Sequence, residues 1–206
     1  MSDMQDKMLD AALHEAVFDG WTQGMLARAA TSVGFTAFDV KRTFPGGVSE
    51  VLDYFAKRAD AQMSDSLARD YHLPSMKIRE RIATAVMVRL RAQAPHREAI
   101  RRMIGYYAMP WNAPAALKQL YATVDAIWFA AGDTSTDYNF YTKRLLLAKV
   151  YASTVTVWLE DRTPDFADTQ SFLYRRIEDV MQIEKFKAKA IQGAEKLKDW
   201  LPNLSR

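Results

Sequence analysis

Apolar residues recur along this chain at intervals of three and four, and no stretch combines β-branched alternation with hairpin turn signals, so the pattern predicts helices and no sheet. The periodic segments run near Ser2 to Phe18, Gly24 to Val33, Ala37 to Thr43, Val48 to Arg69, Ser75 to Ala94, His96 to Ala108, Ala115 to Ala131, Tyr138 to Asp161, Asp165 to Glu184 and Phe186 to Leu201. Between them lie Pro45-Gly46-Gly47, Pro74, Pro95, Met109-Pro110 with Pro114, and Arg162-Thr163-Pro164, where proline or glycine disfavours continuation. The fold class that follows is all-α.

The turn from Gly132 to Arg144 carries the most information. Gly132 follows an apolar run and suits the left-handed end of a helix, while Thr136 or Asp137 can cap the next one. Tyr138, Phe140 and Tyr141 then leave the first turn in different directions, so one core-facing stripe cannot bury all three. An exposed aromatic cluster bordered by Lys143 and Arg144 is the expected appearance of a lipid mouth or a partner surface. A central helix buried on several sides gives the same periodicity.

The last segment is amphipathic. On a wheel of about 100° per residue, Phe186, Ala190, Gly193, Ala194, Leu197, Trp200 and Leu201 share a face. Lys185, Lys189 and Lys196 border it on one side, and Lys187 and Lys198 on the other. Lysines at the rim can snorkel to headgroups, so Phe186, Lys187, Lys189, Leu197, Trp200 and Leu201 are the expected membrane contacts. Packing on the protein's own bundle or on a dimer mate would use the same face.

The first four helices, with the Val33-Gly34-Phe35-Thr36 turn and a very short helix ending at Phe44, resemble the N-terminal helix-turn-helix of TetR-type transcription factors. The division this implies is residues 1–47 as a degenerate helix-turn-helix-like subdomain, 48–184 as a lipid-binding and dimerising bundle, and 185–206 as the amphipathic helix. A ligand-responsive DNA-binding regulator is therefore the alternative reading. Charge opposes it: residues 1–60 hold six basic side chains against nine acidic ones, although DNA affinity rests on phosphate neutralisation. On the short helix only Lys41 and Arg42 suit DNA, Asp39 repels it, and Gly47 stands where TetR members carry a phosphate-reaching lysine. No nucleic-acid partner is expected.

A chain of 206 residues is long enough to bury about 70 % of its unfolded surface without staples. It contains no cysteine, which removes disulfides and thiolate chemistry. The acidic start does not read as a signal or transit peptide, so the expectation is a cytoplasmic bacterial protein or an already trimmed chain. The longest apolar run, Leu145 to Leu159, carries Lys149 and falls short of the roughly 20 residues a spanning helix needs. His14, His72 and His96 are scattered, and no nucleophile elbow, phosphate loop or dinucleotide fingerprint occurs. No enzymatic activity, metal or cofactor is expected.

The run Ala131-Gly132-Asp133 through Thr142-Lys143-Arg144, together with Thr163-Pro164-Asp165-Phe166-Ala167-Asp168-Thr169, resembles the coenzyme Q (ubiquinone) biosynthesis family whose ninth-named member is a lipid-binding accessory protein. The resemblance covers essentially the whole chain. It implies a TetR-like homodimer that binds an isoprenoid quinone or quinone precursor and presents it to the di-iron demethoxyubiquinone hydroxylase. The expected location is peripheral, at the inner face of the bacterial inner membrane or the matrix side of a mitochondrial one. By position it places the partner-facing patch on Ile127, Trp128, Phe140 and Tyr141, with Asp137 shaping the turn. By spacing alone, Ile127 and Trp128 complete a core stripe with Leu117, Leu120, Tyr121 and Val124. Candidate lipid-lining residues are Met87, Leu90, Met103, Ile104, Tyr106, Tyr107, Leu146, Val150 and Trp158, which suit a flexible tail and equally suit an ordinary core.

Overall fold

The computed structural model describes residues 2–133 and 138–182, with side chains at 3–133 and 141–182. Helix α1 (Ser2–Asp19) turns Met8, Leu9, Ala12, Leu13 and Ala16 inward, the i, i+4 stripe of an amphipathic helix. Thr22 caps α2 (Gln23–Ser32) by accepting the Met25 N–H at 3.1 Å. Thr36 and Asp39 cap α3 (Ala37–Thr43) reciprocally, at 3.2 Å and 2.9 Å. Gly47 precedes α4 (Val48–Asp70) at φ 63, where any Cβ would run into the Gln23 side chain.

The bundle follows as α5 (Ile78–Ala92), α6 (Arg97–Tyr107), α7 (Ala113–Ala130), α8 (Tyr138–Glu160) and α9 (residues 167–182). Helix α5 starts three residues later than the pattern suggests, because Leu73–Ser75 forms a separate turn and Glu80 caps the Lys77 N–H at 3.1 Å. Pro114 lies inside the first turn of α7 rather than ahead of it, a position where the missing N–H costs nothing. Helix α4 packs on α5 and α7, and α7 packs on α8.

The N-terminal helices and the bundle share one continuous core. The Trp21 indole N–H donates to the Ala99 carbonyl at 2.9 Å, which ties α2's lead-in to α6. No strand forms among the described residues. None of their helices is long and apolar enough to cross a membrane. The Thr136 or Asp137 cap, the Phe140 side chain and the expected amphipathic helix at 186–201 lie outside the described residues.

Candidate lipid groove and partner-facing surface

Charge ties the end of α7 to the start of α8. Gly132 takes φ 85, and the Asp133 N–H reaches the Trp128 carbonyl at 3.0 Å. The nearly buried Asp133 carboxylate then accepts from Lys143 at 3.0 Å and Arg144 at 3.3 Å, while Arg144 also reaches Asp125 at 2.6 Å. Lys143 lies over the Trp128 ring at 5.5 Å, and the Trp128 indole donates to the Lys143 carbonyl at 3.3 Å. Arg144 is therefore buried structure and not the rim of a surface cluster, because position 144 shares the inward phase of α8 with Leu147 and Tyr151.

Burial also separates the expected partner patch. Ile127 is 0 % exposed and Trp128 is buried, since both continue the core stripe of Thr123 and Val124. They do not face solvent. Instead Phe129 (79 % exposed) ends α7, and Tyr141 (67 %) and Leu145 (73 %) face outward on successive turns of α8. Leu117 and Tyr121 extend the exposed apolar surface along α7. Phe129 and Leu145 were not singled out by sequence reasoning; their phase, about 200° from the inward Ile127 and Leu147 positions respectively, was the available signal.

Two cavities lie on opposite sides of α8. The first is an open groove of about 300 Å³ between α5, α7, α8 and α9, walled by Ile82, Leu146, Leu147, Val150, Val180 and Met181, with Arg79 and Lys143 among its lining residues. The second, about 280 Å³ and also open to solvent past Ile104, Ala152 and Thr156, lies between α4, α5, α6, α7 and α8. Of the expected lipid-lining residues, Leu146 and Val150 line the groove, while Leu90, Met103, Ile104, Tyr107 and Trp158 line the core cavity. Met87 is packed in the core and Tyr106 is partly buried against it, and neither lines either cavity.

The core cavity has a polar side that sequence reasoning missed. Arg89 is buried and donates to Asp60 at 2.7 Å, Tyr151 at 2.6 Å and Thr123 at 3.3 Å. Burial pushes the Tyr151 hydroxyl above its ordinary range, so it stays neutral within this network. The signal was the arginine interrupting an apolar run at the inward phase set by Ile82 and Val86.

The Thr163–Thr169 motif braces the end of α8. Asp161 accepts from the backbone and hydroxyl of Thr163 at 2.8 and 2.5 Å, and from those of Thr169 at 2.8 and 2.6 Å. Asp165 and Phe166 adopt left-handed backbone (φ 53 and 58), held by an Arg91–Asp165 pair at 2.8 Å and by Phe166 packing against Trp158 at 6.0 Å. Arg97 lies over both rings and donates to the Trp158 carbonyl.

Residues 113–184, which hold the α7, α8 and α9 walls of the groove and the Thr163–Thr169 motif, match the model of the family described as COQ9. Over this stretch the chain matches the COQ9 family. It is 35 % identical over 184 residues to the mitochondrial ubiquinone biosynthesis protein COQ9-B of Xenopus laevis, covering 86 % of this chain and 62 % of that one. It is 33 % identical over 186 residues to the Homo sapiens mitochondrial ubiquinone biosynthesis protein COQ9, covering 87 % of this chain and 58 % of the relative. The chain thus spans about three fifths of the length of these COQ9 proteins. Its fold matches a TetR transcriptional regulator from Nitrosomonas europaea, with a TM-score of 0.64, 22 % identity, and coverage of 85 % of this chain and 97 % of that one. Within that TetR-like frame, this chain holds Asp39 of α3 in a cap and in a 3.3 Å pair with Arg42.

Proposed function

We propose that the chain is a non-catalytic accessory protein of ubiquinone biosynthesis, one that captures an isoprenoid quinone or quinone precursor and presents it to the membrane-associated di-iron demethoxyubiquinone hydroxylase. The observation that carries this reading is the division of labour on α8. One face lines the apolar groove with Leu146, Leu147 and Val150, and the adjoining face turns Tyr141 and Leu145 to solvent within the same two turns. A tail lying in the groove would therefore sit beside the surface on which the hydroxylase docks, and transfer would need no passage through the core.

The relatives' description as ubiquinone biosynthesis proteins supports the pathway, and their mitochondrial naming supports a mitochondrial setting or its bacterial equivalent, within which this reading takes the matrix or cytoplasmic face of the inner membrane. In this reading the protein works as a homodimer at the membrane surface and does not bind DNA. The deciding experiment purifies the full chain without detergent, extracts it with organic solvent and identifies the released molecules by mass spectrometry. An isoprenoid quinone or precursor in near-stoichiometric amount is the expected result. A protein that emerges empty and remains empty after incubation with quinone-loaded vesicles would overturn it.

A further inference from the structure

Ile104, Met109, Trp111, Leu117 and Tyr121 all stand in solvent at the corner where α6 passes into α7. Trp111 is 75 % exposed and Leu117 68 %, so both forgo the burial that such large side chains ordinarily gain. The corner is nevertheless firmly built. Pro110 opens its single turn, the Asn112 N–H donates to the Met109 carbonyl at 2.9 Å, and the Asn112 side-chain amide donates to the Tyr106 carbonyl at 2.8 Å. Trp111 is therefore held outward by the turn that carries it. The backbone here also has few donors left to desolvate: Pro110 and Pro114 bring no N–H, and Ala108 and Ala113 donate to the Ile104 and Pro110 carbonyls.

We propose that this corner is a bilayer-inserting contact, in which Trp111 and Leu117 enter the membrane interface and Arg101, Arg102 and Lys118 meet lipid phosphates. The charge pattern selects a lipid surface. Residues 99–124 hold no Asp or Glu, and those three cations are their only charged side chains. Their carboxylate neighbours lie outside the stretch: Arg101 pairs with Glu98 and Glu160, Arg102 with Glu98 at 3.2 Å, and Lys118 with Asp53 at 3.5 Å. All three cations are exposed, and exposed pairs contribute little, so each can exchange its carboxylate for a headgroup phosphate. An apolar tip with cationic flanks and no acid matches the order of a bilayer from acyl chains outward to anionic headgroups. Trp suits the boundary between the two, where its ring leaves water and its indole N–H keeps a polar partner.

This contact uses neither the apolar groove nor the lysine-rich residues 185–198, and it shares with the proposed function only the membrane itself. The chain has no cysteine, so Leu117→Cys carries an environment-sensitive fluorophore at one place alone. The labelled full chain is mixed with phosphatidylcholine vesicles containing a minority of phosphatidylglycerol, with and without doxyl groups high on the acyl chains. Emission at position 117 should rise and be quenched by the doxyl lipid, while the same label at Lys7→Cys, exposed on α1, stays unquenched. Trp111→Ser should weaken vesicle binding about tenfold at unchanged melting temperature, because the ring is mostly in solvent, and Leu117→Ser on the neighbouring helix should act in the same direction. Unquenched emission from vesicle-bound protein would overturn the proposal and leave the membrane to another surface. Binding undiminished in both variants, or no binding by the full chain, would also overturn it. A smaller oligomer in Trp111→Ser would instead assign the corner to a second copy of the chain. Quinone recovered from the purified protein would stand under each of these outcomes, so the two readings fail separately.

Discussion

A buried guanidinium is tolerated only where its donors and its charge are met, and Arg89 meets both through Asp60, Tyr151 and Thr123. Replacing Asp60 by Ala strands that charge inside the bundle and should lower stability by about 3–5 kcal/mol, read by urea denaturation. The Arg89→Met, Asp60→Leu double variant should recover most of the loss, since an apolar pair of similar bulk needs no counter-charge. Asp161 titrates in the opposite context. Burial opposes its charge, but four hydrogen bonds from Thr163 and Thr169 outweigh burial and lower its pKa from 3.8 to about 2. A carboxylate depressed on folding contributes stability above its unfolded pKa and loses it as pH falls through the folded value. Asp161→Asn should therefore lower the melting temperature at pH 7 but make little difference at pH 2, in parallel melts across that range.

At the scale of elements, α7 and α8 show how one apolar composition serves two purposes. The i, i+4 phase through Val124, Ile127 and Trp128 is committed to the core, whereas Phe129, Tyr141 and Leu145 occupy the outward phase. Ile127→Ala should therefore cost about 2–5 kcal/mol of stability. Tyr141→Ser with Leu145→Ser should leave unfolding within about 0.5 kcal/mol of the parent while abolishing co-purification of the hydroxylase. A large stability loss in that double variant would show the outward stripe to be structural. The turn between these helices was legible in part: Gly132 ends α7 in the left-handed region, as its place after an apolar run predicts. The role of Arg144 was not legible, because its partners Asp125 and Asp133 sit on the other arm of the hairpin and only pairing of the arms reveals them.

At the scale of the whole molecule, the basic surplus lies in the middle and at the end of the chain, with five lysines against one glutamate over residues 185–198. Ending the chain after residue 184 should weaken binding to anionic liposomes by roughly one kcal/mol per lysine removed from the surface, and raising salt should weaken the full chain in the same direction. Circular dichroism should show the bundle still folded. Liposome binding that survives truncation would instead favour a tail packed on protein. The acidic balance of residues 1–60 belongs to this scale too, since phosphate attraction is a sum over a surface and Asp39, held in its cap beside Arg42, stays charged at the tip of α3.

The nine described helices and the family resemblance could be read from the chain because they rest on local chemistry: three-and-four spacing, breaks at proline and glycine, and contiguous motifs at Gly132–Arg144 and Thr163–Thr169. Which apolar residue is wall and which is surface was decided only in three dimensions. Spacing marks Leu146, Val150, Met103 and Trp158 as inward, but it cannot tell that the first two face a groove and the last two a separate cavity, because that depends on which helix packs across from each. The same holds for the buried polar groups. Arg89 acquires its meaning from Asp60, Thr123 and Tyr151 on helices far away in sequence.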